Sequence, residues 1–242
     1  MKCSVCIATK DKAPHLARVL KSIYKQTPPF DFEVIVVDDG STDATPQVLN
    51  NYALVHGLIH IRLENKTYRN PSVARNAAYR KARGDIIIAQ SDDVVHITHA
   101  ISQLCSRLHT GEFVISQVVN VDADSGGIIP GYNPYTGTLN MRPFFFLGAV
   151  WRKDLYAIGG NDEEFIAPGF DDNWFADCLI SGLGLIPIWE DSIVGTHLHH
   201  SRPPNLGDLV IPSRELYKTK RQQAIEGKIL WEASGGAWKY DP

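Results

Sequence analysis

At 242 residues, 44% of them hydrophobic and 21% charged, the chain can build a substantial core in one large domain or two small ones. Its net charge of −3 gives no support for a broad nucleic-acid-binding face. The apolar pattern starts almost at Met1, leaving no room for a signal peptide, and no run approaches the ~18 apolar residues of a membrane span. A cytoplasmic protein, or one peripheral at the membrane face, is expected.

In chain order, residues 4–8 read as an apolar strand and residues 14–24 as a helix with Leu16, Val19, Leu20 and Ile23 on one face. Residues 33–37 form a second strand, and Thr42 or Asp43 could cap a helix over 44–55. A third strand at 58–63 precedes a helix at 72–83, closed by Gly84, and a fourth strand at 86–89. This alternation, with near-continuous apolar strands, argues for a parallel sheet covered by helices on both faces. Beyond Asp93 the texture changes. A helix at 97–108, a strand at 113–116, a Gly/Pro/Tyr/Asn-rich loop at 126–142 and an apolar run at 144–150 follow. Further on come a helix at 172–183, a strand at 186–189, a charged helix at 213–226 and an aromatic end with Trp231, Trp238 and Tyr240. Cys3 and Cys6 have zinc-knuckle spacing, but they sit inside a strand pattern without a second pair, so reduced thiols are expected for them and for Cys105 and Cys178.

Three strands end in polar clusters: Thr9-Lys10-Asp11, Asp38-Asp39-Gly40-Ser41 and Ser91-Asp92-Asp93. In a parallel sheet these share the edge at which open α/β sheets bind ligands. Adjacent carboxylates repel each other unless a cation or donors stand against them. Such a cluster suits a base or ribose with N–H or hydroxyl donors, or a hard divalent cation. There is no Gly-x-Gly-x-x-Gly after the first strand and no Gly-x4-Gly-Lys-Ser/Thr, which weakens the dinucleotide-oxidoreductase and P-loop readings.

Ser4-Val5-Cys6-Ile7-Ala8-Thr9, Val36-Val37-Asp38-Asp39-Gly40-Ser41-Thr42-Asp43, Ser72-Val73-Ala74-Arg75-Asn76, and Ala82-Arg83-Gly84-Asp85 with the following Asp pair together resemble the family 2 glycosyltransferases, over residues 3–202. The resemblance implies an α/β GT-A fold: a Rossmann-like, mostly parallel central sheet flanked by helices, with a smaller acceptor-side subregion. It implies a nucleotide-sugar donor, a UDP-sugar by preference. Asp39 would hydrogen-bond the N3–H of a uracil-like base, with Ala8, Thr9 and Lys10 nearby. Asp93 would bind Mn²⁺ or Mg²⁺, Asp92 would hold the ribose or share the metal, and Arg75 would face the phosphates. The family commonly has an aromatic residue and an Asn where this chain has Lys10 and Asp11, which removes a stacking partner of the base.

By the same resemblance, residues 155–165 and Gly169-Phe170-Asp171-Asp172-Asn173-Trp174-Phe175 form the acceptor side, where an acidic pair begins a helix. Asp172 would be the general base and Asp171 would bind the acceptor. The run Glu190 to His200 would supply a histidine to the metal, His197 first and His200 second. Of the aromatics Tyr132, Tyr135, Trp151, Trp174 and Trp189, most belong to the core, with Trp174 and then Trp151 the candidates for sugar contact. Gly148 would allow the donor sugar to approach closely.

The expected organisation is one glycosyltransferase domain over residues 1–204 (1–95 nucleotide-binding, 96–204 acceptor-binding), with a tail at 205–242 packed on it. The expected reaction is inverting, metal-assisted sugar transfer to a hydroxyl on a glycan, a lipid-linked glycan, a protein or a modified nucleobase. The 126–142 loop is a candidate lid. The alternatives are a nucleotide-sugar-binding module without catalysis, or a sugar nucleotidyltransferase. The loop Thr9-Lys10-Asp11-Lys12-Ala13-Pro14 lacks the glycines the latter would need.

Overall fold

The computed structural model describes residues 3–64, 70–129, 134–143 and 145–234. Eight strands form one sheet in the order β3-β2-β1-β4-β7-β6-β8-β5. Its first half follows the apolar runs: β1 (Cys3–Thr9), β2 (Phe32–Asp38), β3 (Ile59–Arg62) and β4 (Ile86–Ser91) are parallel, with β1 between β2 and β4. These strands are buried on both faces because helices cover both. α1 (Ala13–Tyr24), α2 (Thr45–His56) and α4 (Ala100–Arg107) close one side of the core, and α3 (Ser72–Lys81) lies on the other. α1 buries Leu16, Val19, Leu20 and Ile23 at helical spacing and carries a proline in its first turn.

The second half is mixed. β7 (Leu147–Trp151) is antiparallel to both β4 and β6 (Glu112–Val121). β6 runs parallel to β8 (Ile186–Leu198), and the short β5 (Val94–His96) is antiparallel to β8 at the sheet edge. β6 and β8 outrun the predicted 113–116 and 186–189. Their later residues alternate buried and partly exposed, so polar side chains interrupt the apolar run. The helix predicted over 172–183 is α6 (Asp171–Asp177) followed by a π turn at Cys178–Gly182. α5 (Arg152–Ala157) and α7 (Leu206–Leu209) are too short to leave a periodic signature, and α8 (Ile211–Ile225) replaces the predicted 213–226.

Two local details correct the sequence reading. α3 stops at Lys81, and Gly84 is not its cap. A Cβ at Gly84 would lie 2.5 Å from the Cys3 carbonyl carbon, so glycine there permits close approach to β1. Cys3 and Cys6 fall in separate halves of the core, and all four cysteines are free and buried. Asp43 accepts the Thr45 N–H at 2.9 Å as α2 begins, and the Ala13 N–H at 3.0 Å as α1 begins. α8 is locked to the domain by buried Lys220, 3.0 Å from Asp162 and 2.6 Å from Glu164. Trp238, Tyr240 and Tyr132 lie outside the described residues. No helix among the described residues is long and apolar enough to cross a membrane.

Candidate functional site

Register fixes the site. Thr9 pairs with Asp38 and Ala8 with Ser91, so β1, β2 and β4 end at one edge. There they open a cleft of about 470 Å³, lined by Ala8, Thr9, Lys10, Asp11, Asp39, Pro71, Ala74, Arg75, Gln90, Ser91 and Asp92. Every nucleotide-contacting residue predicted from the sequence lines it. The Asp39 N–H donates to the Thr9 carbonyl at 2.8 Å, and the Thr9 hydroxyl donates to Asp92 at 2.7 Å. Lys10 Nζ donates to the carbonyls of Asp39 and Gly40 at 2.8 and 3.2 Å. Asp11, at φ 52°, takes the Thr42 N–H at 2.6 Å and the Asp43 N–H at 3.2 Å. These two residues therefore staple the β1–α1 loop onto the β2–α2 loop, a task that needs charge rather than an aromatic ring.

Beside this cleft, Asp93 Oδ2 lies 3.3 Å from Lys12 Nζ, 3.5 Å from His197 Nε2 and 3.3 Å from His200 Nε2. β8 brings His197 opposite Val94 of β5 and Asn120 of β6. His197 Nδ1 meets Asn120 Oδ1 at 2.8 Å, and His200 Nδ1 meets the Ser201 carbonyl at 3.0 Å, so each Nε2 turns toward Asp93. The ligand atoms of Asp93, His197 and His200 lie within 4.8 Å of one another, and Asp93 Oδ1 is buried without a partner. A carboxylate with an unused oxygen and two imidazoles fits a divalent cation such as Mn²⁺. Burial would raise the Asp93 pKa, but His197, His200 and Lys12 outweigh it and hold the carboxyl well below the usual range. For Asp92, burial and the Asp93 charge push the pKa up to about 6.

The acidic pair sits at the start of α6, where the helix dipole favours it. Arg75 Nη1 is 3.0 Å from Asp171 and 3.1 Å from Asp172. Arg75 projects from α3, which is clamped to the segment before α6 by Asn76. Its Nδ2 donates to the Asn161 carbonyl at 2.7 Å, and its Oδ1 accepts the Asn161 N–H at 2.9 Å. Phe170, in the left-handed region at φ 64°, turns the chain into α6. Burial and the Asp171 charge push the Asp172 pKa up to about 7 against the pull of Arg75. Asp172 lines a second cleft of about 490 Å³ with Tyr135, Arg142, Pro143, Phe146, Gly169, Phe170, Asn173, Arg202 and Val210. Arg75 thus stands in the wall between the two clefts.

Several expectations change. Asp171, expected to bind the acceptor, is buried with its charge spent on Arg75 and does not line the second cleft. Trp174, expected against a sugar, is 1% exposed and stacks on Trp231 at 5.6 Å. Trp151 pairs with Ile86 at the opposite edge of the sheet. Gly148 has no side chain because a Cβ would meet the Val114 carbonyl at 2.8 Å, not because a sugar needs the space. The 126–142 loop is no free lid over its described parts. Ile128 bridges to Val121 and Thr136 to Val118, and Asp191 accepts the Thr138 N–H at 2.9 Å. These contacts make residues 134–142 a wall of the second cleft. Sequence reasoning assigned nothing to Lys12, Asn120, Arg142 or Arg202. Lys12 follows a strand end that was already of interest, and that is the one signal that could have found it.

The profile of a family described as Glycosyl transferase family 2 matches residues 4–161. Among curated relatives, the chain is 36% identical over 98 residues to the poly(ribitol-phosphate) beta-N-acetylglucosaminyltransferase TarS of Staphylococcus aureus, covering 40% of this chain and 17% of that protein. It is 38% identical over 95 residues to the uncharacterized glycosyltransferase YfnE of Bacillus subtilis, covering 39% and 24%. Among solved structures, S. aureus TarS 1–349 in complex with UDP-GlcNAc matches with a TM-score of 0.69 at 19% identity, over 93% of this chain and 66% of that one. The mannosyltransferase PcManGT from Pyrobaculum calidifontis, in complex with GDP-Man and Mn²⁺, matches at 0.61 and 24% identity, over 83% and 58%. The chain spans between 17% and 66% of the length of these relatives, and the structural likeness establishes a shared GT-A fold.

Proposed function

This chain belongs to glycosyltransferase family 2, and on that premise we propose that it transfers a sugar from a nucleoside-diphosphate donor, UDP-linked by preference, to an acceptor hydroxyl with inversion at the anomeric carbon. The observation that carries the reading is the wall between the clefts: a carboxylate with its pKa near neutrality, on the far side of Arg75 from a strand-end nucleotide cleft.

Asp39, with the Ala8-Thr9 backbone, holds the base, and Asp92 takes the ribose. Asp93, His197 and His200 would hold Mn²⁺ or Mg²⁺, with Asn120 fixing the His197 ring. A divalent ion there supplies charge that offsets the departing diphosphate. Arg75 adds a buried cation on the donor side while it orients the acid pair. Asp172 takes the proton from the acceptor hydroxyl, and the oxygen attacks the anomeric carbon in line with the leaving diphosphate. The bound nucleotide sugars of TarS and PcManGT support the donor class, and the Mn²⁺ of PcManGT supports the metal.

The test is a panel of nucleotide sugars, with and without Mn²⁺. Turnover of one donor that needs metal and is lost in Asp93→Ala is expected. Failure of every donor to bind or be consumed with metal present would overturn the reading.

A further inference from the structure

Between α1, β5 and the start of α4 lies a pocket of about 460 Å³ that shares no residue with either cleft or with the metal-fitting cluster. Arg18, Lys21 and Lys25 line it, about a turn apart on the exposed side of α1 and its cap, and no carboxylate does. None of the three has a carboxylate partner among the described residues, and Arg18 Nη1 donates to the Ala123 carbonyl. The negative end of a helix dipole amounts to about half a charge, so Lys21 and Lys25 more than offset the end of α1. α4 begins at Ala100, directly after the lining residues Thr98 and His99, and its positive end adds to the same field.

The polar wall has its acceptors already taken. Ser22 Oγ accepts the His96 N–H at 3.1 Å, Thr98 Oγ1 accepts the Val194 N–H at 3.1 Å, and Gln26 Oε1 accepts the Ile101 N–H at 3.0 Å. Gln90 is oriented by its Nε2, which donates to the Val94 carbonyl at 2.8 Å, so its Oε1 faces His96 Nε2 at 2.8 Å. An amide oxygen only accepts, which puts the imidazole proton on Nε2 and leaves Nδ1 to accept from Gln26 Nε2. His96 and Gln26 are 7% and 9% exposed, so the wall is fixed and neutral. Donors remain for a ligand: the ammonium and guanidinium groups, the second Gln26 Nε2 hydrogen and the Thr98 hydroxyl.

A ligand here must bring negative charge and several acceptor oxygens, which a phosphate group does. Ile97, 60% exposed, lines the same pocket with Val95 and offers apolar surface to the carbon body of a phosphate ester.

We propose that this pocket is a second ligand site, which takes the phosphate group of a phosphate ester on Lys21, Lys25 and Arg18. The inference stands apart from the transferase reading. A soluble ester and a phospholipid headgroup present the same chemistry.

The experiment is equilibrium binding of inorganic phosphate to the full chain, in chelator and at an ionic strength held constant with chloride. Wild type is expected to bind at least about tenfold tighter than the double variant Lys21→Gln/Lys25→Gln, the scale of one hydrogen bond to a charged group. Lys21→Arg/Lys25→Arg should restore most of the affinity. Both lysines are exposed, and an unchanged Tm without phosphate checks the fold. UDP affinity with Mn²⁺ should be the same in wild type and the glutamine variant, because neither lysine lines the nucleotide cleft. Flotation with phosphatidylcholine vesicles, with and without phosphatidylglycerol, identifies the source. Binding to the anionic vesicles that is lost in the glutamine variant places the phosphate on a lipid. Lysine-dependent binding of free phosphate without it places the phosphate on a soluble molecule. Equal phosphate affinity in wild type and the glutamine variant, with no lysine-dependent flotation, would overturn the proposal. Lysine-dependent phosphate binding in a protein that binds no nucleotide sugar keeps the pocket and sinks the transfer reading.

Discussion

Asp172 and Asp93 show how position sets the chemistry of a side chain. Asp93 meets two imidazoles and an ammonium and stays ionised, whereas Asp172, buried beside Asp171, has its pKa pushed up to about 7. A base must be deprotonated to act, so transfer is expected to rise with pH through about 7, a limb that a kcat profile reads directly. The stability sign is the opposite. A carboxyl with a raised folded-state pKa favours the folded state below its unfolded value, and that contribution is lost as pH rises through about 7. Asp172→Asn should therefore gain more in Tm over wild type at pH 8 than at pH 5. Lys12 gives a second prediction. Its ammonium lies 3.3 Å from Asp93, so Lys12→Gln removes a counter-charge from a buried carboxylate. Thermal melts should show a Tm loss in chelator that shrinks when Mn²⁺ is added. Equal losses in both conditions would mean that Lys12 and the ion do not serve the same carboxylate. Both residues could be picked out as polar positions in the sequence, but the burial that raises the Asp172 pKa, and the turn of α1 that aims Lys12, could not.

At the scale of elements, legibility followed burial. β1, β2 and β4 are covered on both faces and read as apolar runs, so their ends, and with them Asp39, Asp92 and Asp93, could be placed from the chain alone. β5 has three residues, too few for any periodicity, and β8 interleaves polar residues along a half-buried face. Their pairing is nevertheless what carries His197 to Asp93. Trp174 and Trp151 were misjudged because aromatic content does not say which face or which edge a ring occupies. Gly84 was read as a helix cap when the constraint was contact between elements. Gly84→Ala puts a methyl group 2.5 Å from the backbone of β1, which must shift. A loss of about 2 kcal/mol or more in urea unfolding is expected. A loss below about 0.5 kcal/mol would mean that the turn at Gly84 and β1 are not packed so closely.

For the whole molecule, one sheet edge gathers a strand-end cleft, a metal-fitting cluster and an acid pair that are far apart in sequence, while Arg75 and Asn76 tie α3 to α6 and to the segment before it. The central claim is that the two clefts work as one transferase with Asp172 between them. The most direct measurement is Asp172→Asn assayed side by side for donor binding, Mn²⁺ binding and sugar transfer, with the donor that wild type turns over. Donor and metal binding close to wild type, with transfer reduced by at least about a hundredfold, is the predicted result. Transfer at the wild-type rate would contradict the account.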